Sequence, residues 1–319
     1  MKKSEYCIGV DLGGTNVAVG IVEVNSGKII NKKSVKTNAP RPVEEIAEDI
    51  ISVCQKLCAI EKIPFSSLAW LGVATPGIIS EGVIVSATNL GWTNAPLKRI
   101  LEEKTSLTVY LSNDANAAAY AEATRGSGRG ASSLVAFTIG TGVGGGIVFD
   151  GKIWEGANGF AGEMGHFVIE HNGRECGCGR RGCIESYCSA TALVKSTKRA
   201  MLENRDSLLW KAAPQVSDVN GKTVFSAMEM GDACAKAVFD EFVSYLATGV
   251  SNVINLFQPE VVCIGGGISR EGDTLIKPLS ELVLKTSLSV SGKRTRIVAA
   301  EFKNDAGIIG AAFLGLQTR

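Results

Sequence analysis

Four side chains suited to soft metals fall within eighteen residues: His166, Cys176, Cys178 and Cys183. Gly173, Gly177, Gly179 and Gly182 lie among them and let the chain wrap around one ion. One imidazole and three thiolates with no open position describe a structural, tetrahedral zinc site. The alternatives are a disulfide, which the Cys-x-Cys spacing strains, and a merely reactive thiol cluster. His171 is nearer to Cys176, so spacing leaves it open as the fourth ligand in place of His166. Glu163 and Glu185 flank the loop. If the loop is fixed beside a ligand they become acceptors for its hydroxyls; as isolated glutamates they would be solvated. Cys188 lies just beyond the loop and reads as core.

Two glycine turns offer a second chemistry. Phosphate oxygens need several converging backbone N–H groups, and glycine lets the chain approach without a clashing Cβ. Gly13-Gly14-Thr15 and Gly140-Thr141-Gly142-Val143-Gly144 both supply this, each with a hydroxyl as an extra donor. A single such turn could be only a tight hairpin; two that match favour a phosphate clamp. No Gly-x-x-x-x-Gly-Lys-Ser/Thr pattern occurs, which excludes P-loop chemistry. Gly140, Gly142 and Gly145 fit a dinucleotide fingerprint with Glu163 downstream, but a strand-like run follows them where that fingerprint needs a helix. Asp11 precedes the first turn and could hold Mg²⁺ through water, or simply cap the turn. Gly265, Gly266 and Gly267 could admit a flat adenine or ribose, or form a plain strand-to-helix turn.

Asp114 is the best candidate for a proton acceptor. It stands after a β-like run and before an alanine-rich helix, a position that projects a carboxylate from a strand end, with Asn113 beside it to exchange hydrogen bonds with hydroxyls. On this segment alone, capping of the following helix is the commoner role for an Asp.

These groups need elements to hold them. Apolar β-like runs at 6–10, 17–24, 70–73, 108–111, 134–139, 146–149 and 261–264 alternate with amphipathic helical runs at 43–59, 116–124 and 232–257, an α/β pattern. Residues 8–22 and 135–148 form a weak internal repeat in which a strand enters a Gly/Thr turn and a second strand leaves it. The segments 32–42 and 204–222 read as polar connections. At 319 residues the chain fits two domains, of roughly 100 to 200 residues each.

Charge is nearly balanced, 33 Lys plus Arg against 32 Asp plus Glu, so no net field attracts nucleic acid or an anionic bilayer. The opening residues Met1 to Val10 show no secretory signal, and no apolar run is long enough to span a membrane. Nine cysteines, five of them single in apolar contexts, suit a reduced, cytoplasmic compartment.

With these residues in view, the chain resembles the ROK family of bacterial sugar kinases, and within it the glucokinases. The likeness rests on residues 11–16, 75–77, 89–92, 112–116, 140–146, 162–166, 176–185 and 265–267. It implies an actin-like ATPase (ribonuclease H-like) α/β fold with two lobes around a cleft and a zinc loop in the larger lobe. The small lobe would comprise residues 1–112 with a C-terminal helix over 305–319, and the large lobe 113–304. ATP would be held by Asp11, Gly13, Gly14, Thr15, Asn16, Gly140, Thr141, Gly142, Gly144, Gly265, Gly266 and Gly267, with Mg²⁺. Asn89, Asn113, Asp114, Glu163, His166 and Glu185 would face the sugar, and Asp114 would be the general base. The resemblance also favours His166 over His171 as zinc ligand, and implies a homodimer. The reaction expected is transfer of phosphate from ATP to the 6-hydroxyl of a hexose, glucose first, with N-acetylglucosamine, N-acetylmannosamine or fructose as alternatives. The family also contains sugar-responsive repressors with a preceding helix-turn-helix domain. The position of the first turn within a dozen residues of Met1 argues against that class, and the retained Asp114 against a non-catalytic sugar-binding module.

Overall fold

A computed structural model describes residues 5–288 and 292–317. The chain forms two compact units, Met1–Leu134 with Gly146–Gly162 and Asn304–Arg319, and Val135–Gly145 with Glu163–Lys303.

In the first unit the strands are β1 (Tyr6–Leu12), β2 (Asn16–Glu23), β3 (Ile29–Lys36), β4 (Leu71–Thr75) and β8 (Val109–Asn113), in the order β3-β2-β1-β4-β8. The sheet is mixed: β1–β2 and β2–β3 are antiparallel, β1–β4 and β4–β8 parallel. Between β4 and β8 the chain makes a small antiparallel sheet of β5 (Ile78–Ser80), β6 (Val83–Ala87) and β7 (Trp92–Ala95). Segment 29–36, which reads as partly polar connection, is instead a strand. Seven residues pair with β2, and the polar side chains Lys32, Lys33 and Ser34 tolerate exposure there because β3 is the sheet edge.

The strands alternate in which face they use. Ile8, Val10 and Leu12 pack with Ile46, Ile50, Cys54 and Leu57 of α1 (Val43–Glu61), whose apolar positions recur at helical spacing. The opposite face of β1 carries Cys7, Gly9 and Asp11. Helix α2 (Leu97–Thr105) adds Leu97, Ile100 and Leu101 to the core beside α1, and α3 (Asp114–Thr124) follows β8 directly.

The second five-stranded sheet has the order β11-β10-β9-β12-β13, from β9 (Ser133–Ile139), β10 (Val143–Phe149), β11 (Lys152–Ile153), β12 (Val261–Gly266) and β13 (Arg296–Ala299). Helices of the second unit include α4 (Glu185–Cys188), α5 (Ala190–Glu203), α6 (Leu209–Ala212), α7 (Thr223–Glu229), α8 (Ala233–Phe257) and α9 (Asp273–Thr286). Segment 204–222 is not a plain connection: α6 and its flanks bury Leu209, Ala213 and Val219. Asp232 caps α8, accepting from Ala235 N–H at 2.6 Å.

The chain returns to the first unit as α10 (Ala306–Phe313) and a 3-10 turn, Leu314–Leu316. The helix expected over 305–319 is thus shorter; residues 318 and 319, like Met1 to Ser4, lie outside the described residues. The unit boundary also differs from a division at 112/113. Helix α3 packs on α10 through small residues, Ala117 against Gly310, and so groups with the first unit.

Close approach is the rule around α10. A Cβ on Gly9 would fall on the carbonyl of Ile308, one on Gly72 on that of Ala311, and one on Gly310 on that of Ala117. Alanine normally favours a helix over glycine by about 1 kcal/mol. Gly310→Ala is nevertheless expected to destabilise the protein by about 1–3 kcal/mol, because overpacking forces α10 and α3 apart. A urea unfolding midpoint lower than wild type checks this; a rise would show that the helices do not touch at Gly310.

Candidate active site

In the first unit, Gly13 N–H donates to Asn16 O at 2.9 Å and closes the turn between β1 and β2. Gly14 packs on Asn89, and a Cβ there would lie 2.8 Å from Asn89 O, which brings these two expected site residues together. Asp11, Gly13, Gly14, Thr15 and Asn16 line an open pocket of about 730 Å³. The same pocket is lined by Asn304 and by Lys32 and Asp305, which are ion-paired at 2.5 Å. Sequence reasoning missed Lys32 and Asp305. Nothing local links a β3 lysine to a residue 273 positions away.

Asp11 lies on the α10 face of β1, where a side chain on Gly307 would collide with its carboxylate. Burial, and then the charge of Asp114, push its carboxyl up to about 6. Asp114 is also raised by burial, against the opposing pull of the Ala115 N–H, which donates to its Oδ1 at 2.8 Å. The register explains the neighbourhood: Asp11 pairs with Ala74 on β4, and Thr75 with Asn113 at the end of β8, so both carboxylates sit where parallel strands finish.

Asp114 does not cap α3. Asn113 does: its Oδ1 accepts from Ala115 N–H at 2.9 Å and Asn116 N–H at 3.3 Å, while its Nδ2 donates to Gly77 O at 3.1 Å. Asp114 is left as the first residue of the helix. In the same turn Asn116 Oδ1 is buried without a hydrogen-bond partner among the described residues, a cost of about 1–3 kcal/mol.

In the second unit, Gly140 N–H donates to Gly142 O at 2.9 Å, closing the turn between β9 and β10. Glu185, at the start of α4, accepts from Val143 N–H at 2.9 Å, and a Cβ on Gly142 would collide with its Oε2. Glu185 is therefore anchored to the turn. Glu163 is exposed and opens the 3-10 turn Met164–His166; Gly165 of that turn packs on Val143 O. The glycine triplet is divided in role. Gly266 has φ +83° and backs onto Ile139, whereas a Cβ on Gly267 would meet nothing.

His166, Cys176, Cys178 and Cys183 converge, their donor atoms all within 4.8 Å of one another. His166 Nδ1 is 3.7 Å from Cys176 Sγ, and Cys178 Sγ is 3.7 Å from Cys183 Sγ. A tetrahedron built on metal–sulfur bonds of about 2.3 Å has edges of about 3.8 Å, so the donor set fits zinc in type and spacing. His171 is not among the grouped donors. All nine cysteines are free thiols. Hydrogen bonds from Arg180, first its backbone N–H and then its side chain, lower the Cys178 thiol to about 6, while burial pushes Cys183 up to about 12. Cys188 is fully buried in the core.

Residues 7–318 match the family model described as ROK family. The chain belongs to the ROK family. It is 38% identical to the glucokinase of Halalkalibacterium halodurans over 98% of this chain and 95% of that protein. Against the glucokinase of Thermotoga maritima it is 38% identical, covering 96% and 95%. The crystal structure of a ROK family glucokinase from Streptomyces griseus, in complex with glucose and AMPPNP, superposes with a TM-score of 0.81 at 32% identity, covering 97% of this chain and 98% of that one. The ROK chain accordingly has the actin-like ATPase type of sugar-kinase fold, α/β with mixed sheets. Among the described residues no helix is long and apolar enough to cross a membrane.

Opposite stability effects are expected at the two neighbouring polar residues. Asn113→Ala loses the cap and should cost about 1 kcal/mol. Asp114→Asn should stabilise at neutral pH. A carboxyl whose folded pKa is raised binds its proton more tightly when folded, so stability falls as pH climbs above the unfolded value of about 3.9. The gain from Asp114→Asn should therefore vanish below about pH 4. Thermal melts of both variants from pH 3.5 to 7.5 check the signs.

Proposed function

We propose that this ROK chain is an ATP-dependent hexose kinase that phosphorylates the 6-hydroxyl of glucose. The observation that carries the reading is the near full-length identity of 38% to proteins named glucokinase.

In this reading the peptide N–H groups of Gly13, Gly14 and Thr15 in the first unit, and of residues 140–144 in the second, hold the triphosphate, with Asn16 beside them and Gly265, Gly266 and Gly267 bordering the adenosine. Asn89, Asn113, Glu163, His166 and Glu185 take the sugar hydroxyls. Asn113 keeps capacity for this through its nitrogen, whose two protons serve Gly77 O and one further acceptor. Asp114 accepts the proton of the 6-hydroxyl as that oxygen attacks the γ-phosphorus and the bond to ADP breaks. Its raised pKa supports the role: partial loss of solvation makes the carboxylate a better base than one in the ordinary range, while its side chain stays open to an incoming hydroxyl.

Asp11 would hold Mg²⁺, and its half-buried carboxylate beside a second acid suits a divalent cation. When bound, Mg²⁺ neutralises charge on the β- and γ-phosphates. His166, Cys176, Cys178 and Cys183 would hold zinc, which with four protein ligands and no open position braces the loop carrying Glu185. The same reading places the enzyme as a homodimer in a reducing cytoplasm, to which the free thiols are suited.

ADP release from Mg-ATP should depend on glucose and be weaker with N-acetylglucosamine, N-acetylmannosamine, mannose and fructose. Preference for another of these sugars would replace the substrate, and no sugar-dependent turnover would overturn the kinase. Asp114→Asn should lower kcat by roughly 10²- to 10⁴-fold while glucose still binds in calorimetry. Wild-type kcat should rise with pH through a value above the ordinary carboxylate range, because the base works deprotonated. The purified protein should carry one zinc per chain by plasma mass spectrometry, and Cys183→Ser should lose it.

A further inference from the structure

A glycine turn presents its amides to a ligand only if something decides which way each peptide plane faces. In a trans peptide the C=O of one residue and the N–H of the next point in opposite directions, so a group that grips the carbonyl aims the following amide. The peptides 13–14 and 141–142 are both followed by glycine, the residue that tolerates either orientation of such a plane. Left alone, each could turn its carbonyl oxygen toward an anion.

Both are held. Thr37, buried just beyond β3, donates from its hydroxyl to Gly13 O at 2.6 Å and from its N–H to Thr15 O at 2.9 Å. In the second unit Ala190 N–H donates to Gly140 O at 2.8 Å, and the Thr191 hydroxyl donates to Thr141 O at 2.7 Å. The two turns are unrelated in local sequence around these threonines, yet each has a hydroxyl behind its glycine peptide. The amides thereby aimed away, those of Gly14 and Gly142, have no acceptor among the described residues.

We propose that Thr37 and Thr191 are positioning residues for the triphosphate, each locking one glycine peptide so that the N–H of Gly14 and that of Gly142 face the phosphate oxygens. The proposal rests on the kinase reading above. Neither hydroxyl need touch the nucleotide, since each is committed to a carbonyl.

Valine keeps the shape of threonine without the hydroxyl, and serine keeps the hydroxyl without the methyl. Titration calorimetry of Mg-AMPPNP into the full chain should show Thr37→Val and Thr191→Val weakened about three- to tenfold, the worth of one neutral hydrogen bond. Thr37→Ser and Thr191→Ser should bind as wild type, and KM for glucose should stay unchanged in all four. Valine variants that bind the analogue as wild type does, or serine variants that lose as much as valine, would overturn the proposal. If Thr37→Val does not fold, Thr191→Val, at an exposed helix start, still decides it. A wild type that binds the analogue but phosphorylates no hexose sinks the kinase reading and leaves the threonines standing.

Discussion

The first unit depends on one packing constraint, the contact of α10 with bare backbone. Gly9 and Gly72 on adjacent strands, and Gly310 on the helix itself, leave no side chain between α10, the sheet and α3. Asp11 lies on this face, where Gly307 leaves room for its carboxylate. Lost solvation is the largest cause of the raised pKa at both Asp11 and Asp114. In the proposed reading one of these acids takes a cation and its neighbour a proton. Trp70 Nε1, donating to Ala312 O at 2.7 Å, secures the far end of the same helix.

In the second unit the Cys/His loop and the glycine turn are parts of one construction. The loop ends at Cys183, and two residues later Glu185 reaches the turn at Val143. Arg174, inside the loop, lies 4.5 Å over the ring of Tyr187, donates its backbone N–H to the Tyr187 hydroxyl oxygen at 2.7 Å, and pairs with Glu241 of α8 at 2.9 Å. A loop built from glycines and thiols thus gains a fixed position on the long helix, and passes that position to the turn through Glu185.

Much of this was legible because it is local. The metal donors lie within eighteen residues, the glycine turns within single hairpins, and the β1–β2 and β9–β10 repeat follows from strand, turn and strand in continuous sequence. Other features were not. Both Asp and Asn are good caps, so composition could not say that Asn113 caps α3 and leaves Asp114 as its first residue. The lysines of β3 looked like a polar connection because an edge strand exposes its side chains as a loop does.

The sequence by itself determined the fold class, the family, the donor types for a metal and the two places where backbone could meet phosphate, since each depends on residue type and spacing along a short stretch. Tertiary structure decided which partners those groups meet: Asn89 under Gly14, Lys32 beside Asp305, Glu185 on Val143, and Thr37 and Thr191 behind the turns. The physical reason is range. Periodicity along the chain reports which way a side chain points from its own element, but the pairs that aim an amide or desolvate a carboxylate join residues tens to hundreds of positions apart, and only the packed chain brings them within hydrogen-bond reach.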